Sequence, residues 1–243
     1  MSDSARKLVR QVWPVVVFAV AMAYLESAIV VYLREIWGVG DSLFPVLPMF
    51  EVGGEQLLKI EVGREFATLI MFVALAYAVA RTRVQWWAAI LIAFGVWDIF
   101  YYVWLEVCIG WPVSLAEWDV LFLVPGQMTG PVYAPVSVSA LMIIAGVLFL
   151  HCENQGRRVR FDGRFWGLLV GAVALILISF YTNGFPTTGE KVEADLTYWW
   201  PLLVVGDGLG IAAMLAATRA KIGTGTYFSA DSGGIEDSRR SEK

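Results

Sequence analysis

The chain has 243 residues, of which 58% are hydrophobic and 16% charged, and its mean hydropathy is +0.64. A soluble domain is nearer half apolar and a quarter charged, so this composition argues against an ordinary globular domain and for a polytopic membrane protein. The formal net charge of −4 conceals a strong asymmetry along the chain, and no basic block interleaved with aromatics offers a nucleic-acid surface.

The first eleven residues are basic through Arg6, Lys7 and Arg10, and an apolar run follows from Val12 to Leu33. At about 1.5 Å per residue this run crosses a hydrocarbon core of about 30 Å. Ala21-Met22-Ala23 resembles a signal-peptide cleavage site, but the apolar run continues past it to Leu33, which favours a retained span. Arg34 and Glu35 end the span, with Trp37 as an interfacial anchor. The loop Gly38 to Ile60 holds Pro45, Pro48 and Gly53-Gly54 around an apolar segment, Leu43 to Phe50, that is expected to pack on the bilayer or the helices.

A second span is expected from Glu61 to Ala80, with Glu61, Arg64, Glu65 and Thr68 on one face of its first turns. A third runs from Trp86 to Val107. The loop Cys108 to Pro131 then repeats the style of the first, with Glu117-Trp118-Asp119 beside an apolar Val120 to Val124 and breakers at Pro125, Gly126, Gly130 and Pro131. Two loops of this length with apolar interiors are more than connectors. The fourth span is Val132 to Leu150, carrying Ser137 and Ser139. The fifth is Phe165 to Phe180 with Gly167-x-x-x-Gly171, a pattern suited to close helix packing. An acidic loop with Glu190, Glu193 and Asp195 leads to the sixth, Tyr198 to Ala217, which Gly206-Asp207-Gly208 is expected to break.

The basic residues sort to one side of this arrangement: Arg6, Lys7 and Arg10, then Arg81 and Arg83, the cluster Arg157 to Arg164, and Arg219 with Lys221. The other side receives only Arg34, Lys59, Arg64 and Lys191. By the preference of Lys and Arg for cytoplasmic loops, both termini are expected in the cytoplasm. The expected fold is therefore all-α: one six-span transmembrane domain over 1–222, N-in and C-in, with two structured outer loops. A disordered tail is expected over 223–243. Cys108 and Cys152 fall on opposite faces, which rules out a disulfide between them.

The charges inside the apolar runs carry the functional signal, because an intramembrane carboxylate costs several kcal/mol unless it meets a partner, protein interior or water. Asp98, Tyr102 and Glu106 fall at i, i+4 and i+8 of the third span and form one predicted stripe. Glu26, Asp98 and Asp207 are placed near the midplane. Arg34, Glu61, Arg64, Glu65 and Glu106 gather at the outer interface, with Glu117 and Asp119 at the rim, giving a funnel that opens outward. The bland alternative for the outer set is ordinary interfacial pairing, and for Asp98 and Asp207 it is hydrogen-bonded packing between helices. His151, the one histidine, lies at the opposite end, which disfavours zinc, bis-His haem and His-dependent protease chemistry. Oxygen-only ligands suit magnesium, manganese or calcium, with Glu26, Asp98 and Glu106 as candidate ligands.

The run W-D-I-F-Y-Y-V-W-L-E, followed by G-W-P-V-S-L-A-E-W-D-V-L-F-L-V-P, is similar to uncharacterised six-span membrane proteins of bacteria. The resemblance covers the third span and second loop. It implies integral membrane location and no particular activity; the membrane expected for the chain is the bacterial inner one.

Three functions are consistent with these residues. The first is a membrane-embedded enzyme acting on a lipid or other amphiphile. Glu26, Asp98, Glu106, Glu61 and Glu65 would supply acid–base or metal chemistry, and Arg64, Arg34, Tyr102 and Asp207 would bind substrate. The second is a proton- or cation-coupled transporter. The third is a structural subunit, either a homodimer or part of a larger membrane complex.

Overall fold

The computed structural model describes residues 2–37, 54–122, 128–181 and 198–219. The segment 43–50, the breakers Pro125 and Gly126, the acidic loop bearing Glu190 and the tail beyond 223 lie outside the described residues.

Six helices are long and apolar enough to cross a membrane: α1 (Asp3–Trp37), α2 (Gly54–Val79), α3 (Arg83–Ile109), α4 (Tyr133–Asn154), α5 (Gly163–Tyr181) and α6 (Trp200–Thr218). The fold is all-α and polytopic, as the long apolar runs predict. Helices α1 and α2 begin earlier than expected, at Asp3 and Gly54. Polar first turns do not stop a helix whose later turns are held by packing.

Helix α3 is the centre. More than half of its spanning window (56%) is buried, against 22–33% for the other five. It packs most extensively on α4 and α1, and also carries α2, while α5 and α6 form a second pair joined through α4. Thr82 caps its start, its hydroxyl accepting from the Gln85 N–H at 3.1 Å. Gly110 ends it in the left-handed region, φ 68°, donating to the Glu106 carbonyl.

Close approach of α3 and α4 depends on two glycines. A Cβ on Gly95 would lie 2.5 Å from the Ser139 carbonyl oxygen, and one on Gly146 would lie 2.7 Å from Ile92 Cγ1. In the second pair Gly206 has this role, its missing Cβ facing Ile176 at 2.7 Å, whereas Gly167 and Gly210 face open space. Of the Gly167-x-x-x-Gly171 pattern only the second glycine packs closely, its missing Cβ 3.3 Å from Leu209 Cδ1 of α6. Helix α6 is not broken at Asp207; it runs unbroken from Trp200.

The loop after α3 is more than the structured cap expected. Strands β1 (Trp118–Phe122) and β2 (Met128–Pro131) pair antiparallel, Asp119 opposite Gly130. Phe122 reaches rings in the middle of α3, stacking on Phe94 and tilting against Trp97, with centroids 6.0 Å away in each case. All four β2 residues are buried. The hairpin thus re-enters the bundle, and β-structure at that depth is tolerated because helices surround it.

Hydrogen bonds join the far ends of the helices. Thr82 and Gln85 donate to Glu153 at 2.6 and 2.9 Å, Asn154 donates to Gln11 at 2.7 Å, and the Arg160 N–H reaches the Ala217 carbonyl at 3.0 Å. These ends carry most of the arginines and form the basic face, opposite the one from which the hairpin enters. Exposed Cys108 and buried Cys152 lie at opposite ends of the bundle, both free.

Candidate functional site

Polar side chains collect between the outer halves of α1, α2 and α3 and the hairpin. Arg64 of α2 is bracketed by two buried carboxylates, Glu26 of α1 and Glu61 one turn earlier on α2. Its Nε donates to Glu61 Oε1 at 2.9 Å, its Nη2 reaches the same oxygen, and its Nη1 donates to Glu26. This cluster is the principal tie between α1 and α2, which otherwise touch little. Glu65 is buried one residue further along, and Thr68 returns its hydroxyl to the Arg64 carbonyl at 3.3 Å.

The second group is centred on α3. Asp98 is buried and accepts from the Ser139 hydroxyl of α4 at 2.8 Å. One turn outward, Tyr102 is 5% exposed and turns its hydroxyl toward Asp119 of β1, itself 1% exposed. Asp119 Oδ1 accepts the N–H of Val120 at 2.8 Å, while Oδ2 is buried without a fully formed hydrogen bond. Asp119 lies outside the six spans. Burial is the main force raising its pKa, to about 7; the Tyr102 and Val120 hydrogen bonds pull it down, nearby Asp98 pushes it up, and the Arg34 charge opposes the rise. Tyr101 stands edge-on to Tyr102, centroids 5.0 Å apart, and its carbonyl accepts from buried Ser27 of α1 at 3.0 Å. The Asp119 carboxylate can take a proton near neutral pH and hold it beside the Tyr102 hydroxyl.

Several sequence expectations need correction. Glu106 is exposed, not in line with Asp98 and Tyr102. Eight residues at 100° each advance a helix by roughly 80° beyond two full turns, enough to turn Glu106 off the buried face. Glu26, Asp98 and Glu106 therefore do not form one ligand set: Glu26 holds Arg64, Asp98 holds Ser139, and Glu106 faces outward. Among the described residues no group of three or more His, Cys, Asp or Glu is placed to hold a metal ion. Arg64 is engaged by two carboxylates, so binding a head group there would mean displacing one of them.

Asp207 also stands apart. Its Oδ2 accepts from Ser137 at 3.0 Å, whereas Asp98 uses Ser139. Two residues along a helix turn about 200°, so the two aspartates lie on opposite sides of α4. Asp207 borders a cavity of about 220 Å³ among α3 to α6, walled by apolar side chains such as Leu91, Met142 and Ile176.

Sequence reading also misplaced Asp119, expected at the rim and found in the core. A signal existed: W-D-V-L-F reads as a short strand, and strand alternation sends Asp119 to the face opposite Trp118 and Val120.

Together the six spans and the re-entrant hairpin define a multi-pass helical membrane protein with a buried acidic cluster in one half. Comparison with protein-family profiles, curated proteins and solved structures returned no match.

Proposed function

We propose that the chain is a membrane-embedded enzyme of the bacterial inner membrane, N-in and C-in. On this reading its site faces the outer leaflet and acts on a lipid or other amphiphile. The observation that carries the proposal is the placement of Asp119. A hairpin holds this carboxylate inside the bundle against Tyr102 and beside Asp98, with a pKa near 7 and one oxygen lacking a complete hydrogen bond. Asp119 takes a proton from the bound substrate and returns it later, Tyr102 supplies a hydroxyl donor, and Asp98 stands behind them. Glu26, Glu61, Glu65 and Arg64 fix the position of α2 along the site's flank. Arg34 is close enough to Asp119 to act on its charge, and its guanidinium adds positive charge to the side an anionic head group would approach.

The inner side of the cluster is apolar. Phe72, Val96 and Trp97 are buried with Ala89, Ile92 and Ala93 below Asp98. A one-sided site suits chemistry at one leaflet.

The test is a lipid profile by mass spectrometry of bacterial membranes carrying the wild type, Asp119→Asn or Asp98→Asn. A lipid species that changes with the wild type and not with either variant supports the enzyme. Profiles identical for all three, at equal protein levels, would remove it.

The re-entrant hairpin favours a second reading, a proton-coupled transporter, because non-helical segments inside bundles commonly line transport paths. Flux driven by a pH gradient in proteoliposomes, lost in Asp119→Asn, would select it over the enzyme. As a structural subunit the protein would migrate as a fixed complex in native electrophoresis and tolerate both substitutions.

A further inference from the structure

On the basic face a cleft of about 620 Å³ opens between α1, α2 and α3. Its size falls within the range of small-molecule sites. It exists because α1 and α2 diverge there, their one strong tie being Arg64 in the opposite half. Arg6, Lys7 and Arg10 line it from α1 and Arg81 from the turn after α2, with Asp3 the one acid among them. Among the described residues none of these four cations makes an ion pair. The floor changes character, to Val15 and Ile92, both buried.

Unneutralised cations above an apolar floor match an amphiphile with an anionic head. We propose that this cleft binds an anionic membrane lipid. Its phosphate would be held by Arg6, Lys7, Arg10 and Arg81 and the start of its acyl chain would rest on Val15 and Ile92. Arginine suits phosphate because its planar fork donates two parallel hydrogen bonds, and basic pockets between helices bind such head groups. The bland alternative is that these charges serve only to orient the chain, which needs no cleft and no particular arginines. Arg157 and Arg158 provide the control, being exposed on the same face and absent from the cleft.

The experiment is native mass spectrometry of the full chain, delipidated and returned to nanodiscs of phosphatidylcholine with a minor fraction of phosphatidylglycerol. The wild type should eject with bound phosphatidylglycerol. Arg10→Gln/Arg81→Gln should bind it about thirtyfold more weakly, since each cation near an anionic surface contributes about one power of five. Arg157→Gln/Arg158→Gln, which removes the same charge from the same face, should bind like the wild type. Equal loss in both double variants would reduce the cleft to general surface charge and overturn the proposal. So would undiminished binding in Arg10→Gln/Arg81→Gln. Inorganic phosphate is the second probe, and millimolar phosphate that binds the wild type while phosphatidylglycerol does not would assign the cleft to a soluble anion and overturn the lipid.

Discussion

Tyr102 of α3 and Asp119 of β1 face one another inside the bundle, hydroxyl toward carboxylate, 5% and 1% exposed. They come from different elements, and the hairpin alone brings them together. Burial raises the Asp119 pKa from 3.8 to about 7, so the folded protein holds a proton that the unfolded chain has already released. Stability from this group is complete below about pH 4 and is lost as pH rises through about 7. The loss is on the order of 4 kcal/mol, the free-energy equivalent of moving the pKa from 3.8 to about 7. Melting temperature in detergent should therefore fall between pH 4 and pH 7 in the wild type, and Asp119→Asn should remove most of that slope. Activity requiring the charged carboxylate should rise through about pH 7, the folded-state value, and be absent in Asp119→Asn. A variant melting profile that slopes like the wild type would show that Asp119 does not titrate there.

Arg64 compensates two buried carboxylates at once. Arg64→Met leaves Glu26 and Glu61 buried and uncompensated, and breaking a buried pair costs about 3–5 kcal/mol. The expected result is a large fall in melting temperature and loosening of α2. Glu26→Gln/Glu61→Gln in the Arg64→Met background should recover much of the loss, because the stranded charges are then gone. If Arg64→Met melts like the wild type, the cluster is solvated and does not anchor α2.

Two glycines make opposite predictions. At Gly95 a methyl group would meet the Ser139 carbonyl oxygen at 2.5 Å, so Gly95→Ala must separate α3 from α4. Overpacking of this kind costs about 1–3 kcal/mol, and the same shift would draw Ser139 away from Asp98. Gly167 faces open space, so Gly167→Ala should be neutral, or gain up to about 1 kcal/mol from helix propensity. Thermal unfolding of the two variants side by side checks both.

The spans were legible because membrane insertion demands long apolar runs, and α3 stood out because Asp98 lies deep in one. The partners of the charges were not legible. Periodicity places Asp98 on a face of α3 but does not say that α4 supplies Ser139, which depends on how Gly95 and Gly146 let the helices meet. The Asp98–Tyr102–Glu106 stripe failed for a different reason: points repeated every four residues drift by about 40° each around a straight helix. Asp119 was lost because a five-residue strand inside a loop has no long pattern, and its burial is set by the Phe122 contact with α3.

That contact is itself open to test. Phe122 stacks on Phe94 and touches Trp97, both inside the bundle, while Val113 at the loop's start is 85% exposed. In a Cys108→Ser/Cys152→Ala background, Phe122→Cys should resist a charged maleimide applied from either side of the membrane and react only after denaturation. Val113→Cys should react readily, and only from the side opposite the basic face. The substitution itself weakens the hairpin, since losing a large aromatic from a packed site costs about 3–5 kcal/mol when fully buried and less here, where Phe122 is partly exposed. Phe122→Leu, which keeps an apolar side chain there, should preserve activity better than Phe122→Cys if the hairpin's seat is what holds Asp119. Rapid labelling of Phe122→Cys at the Val113→Cys rate would put the hairpin on the surface. Asp119 would then be solvated, its pKa would return toward 3.8, and the acid–base site would lose its wall.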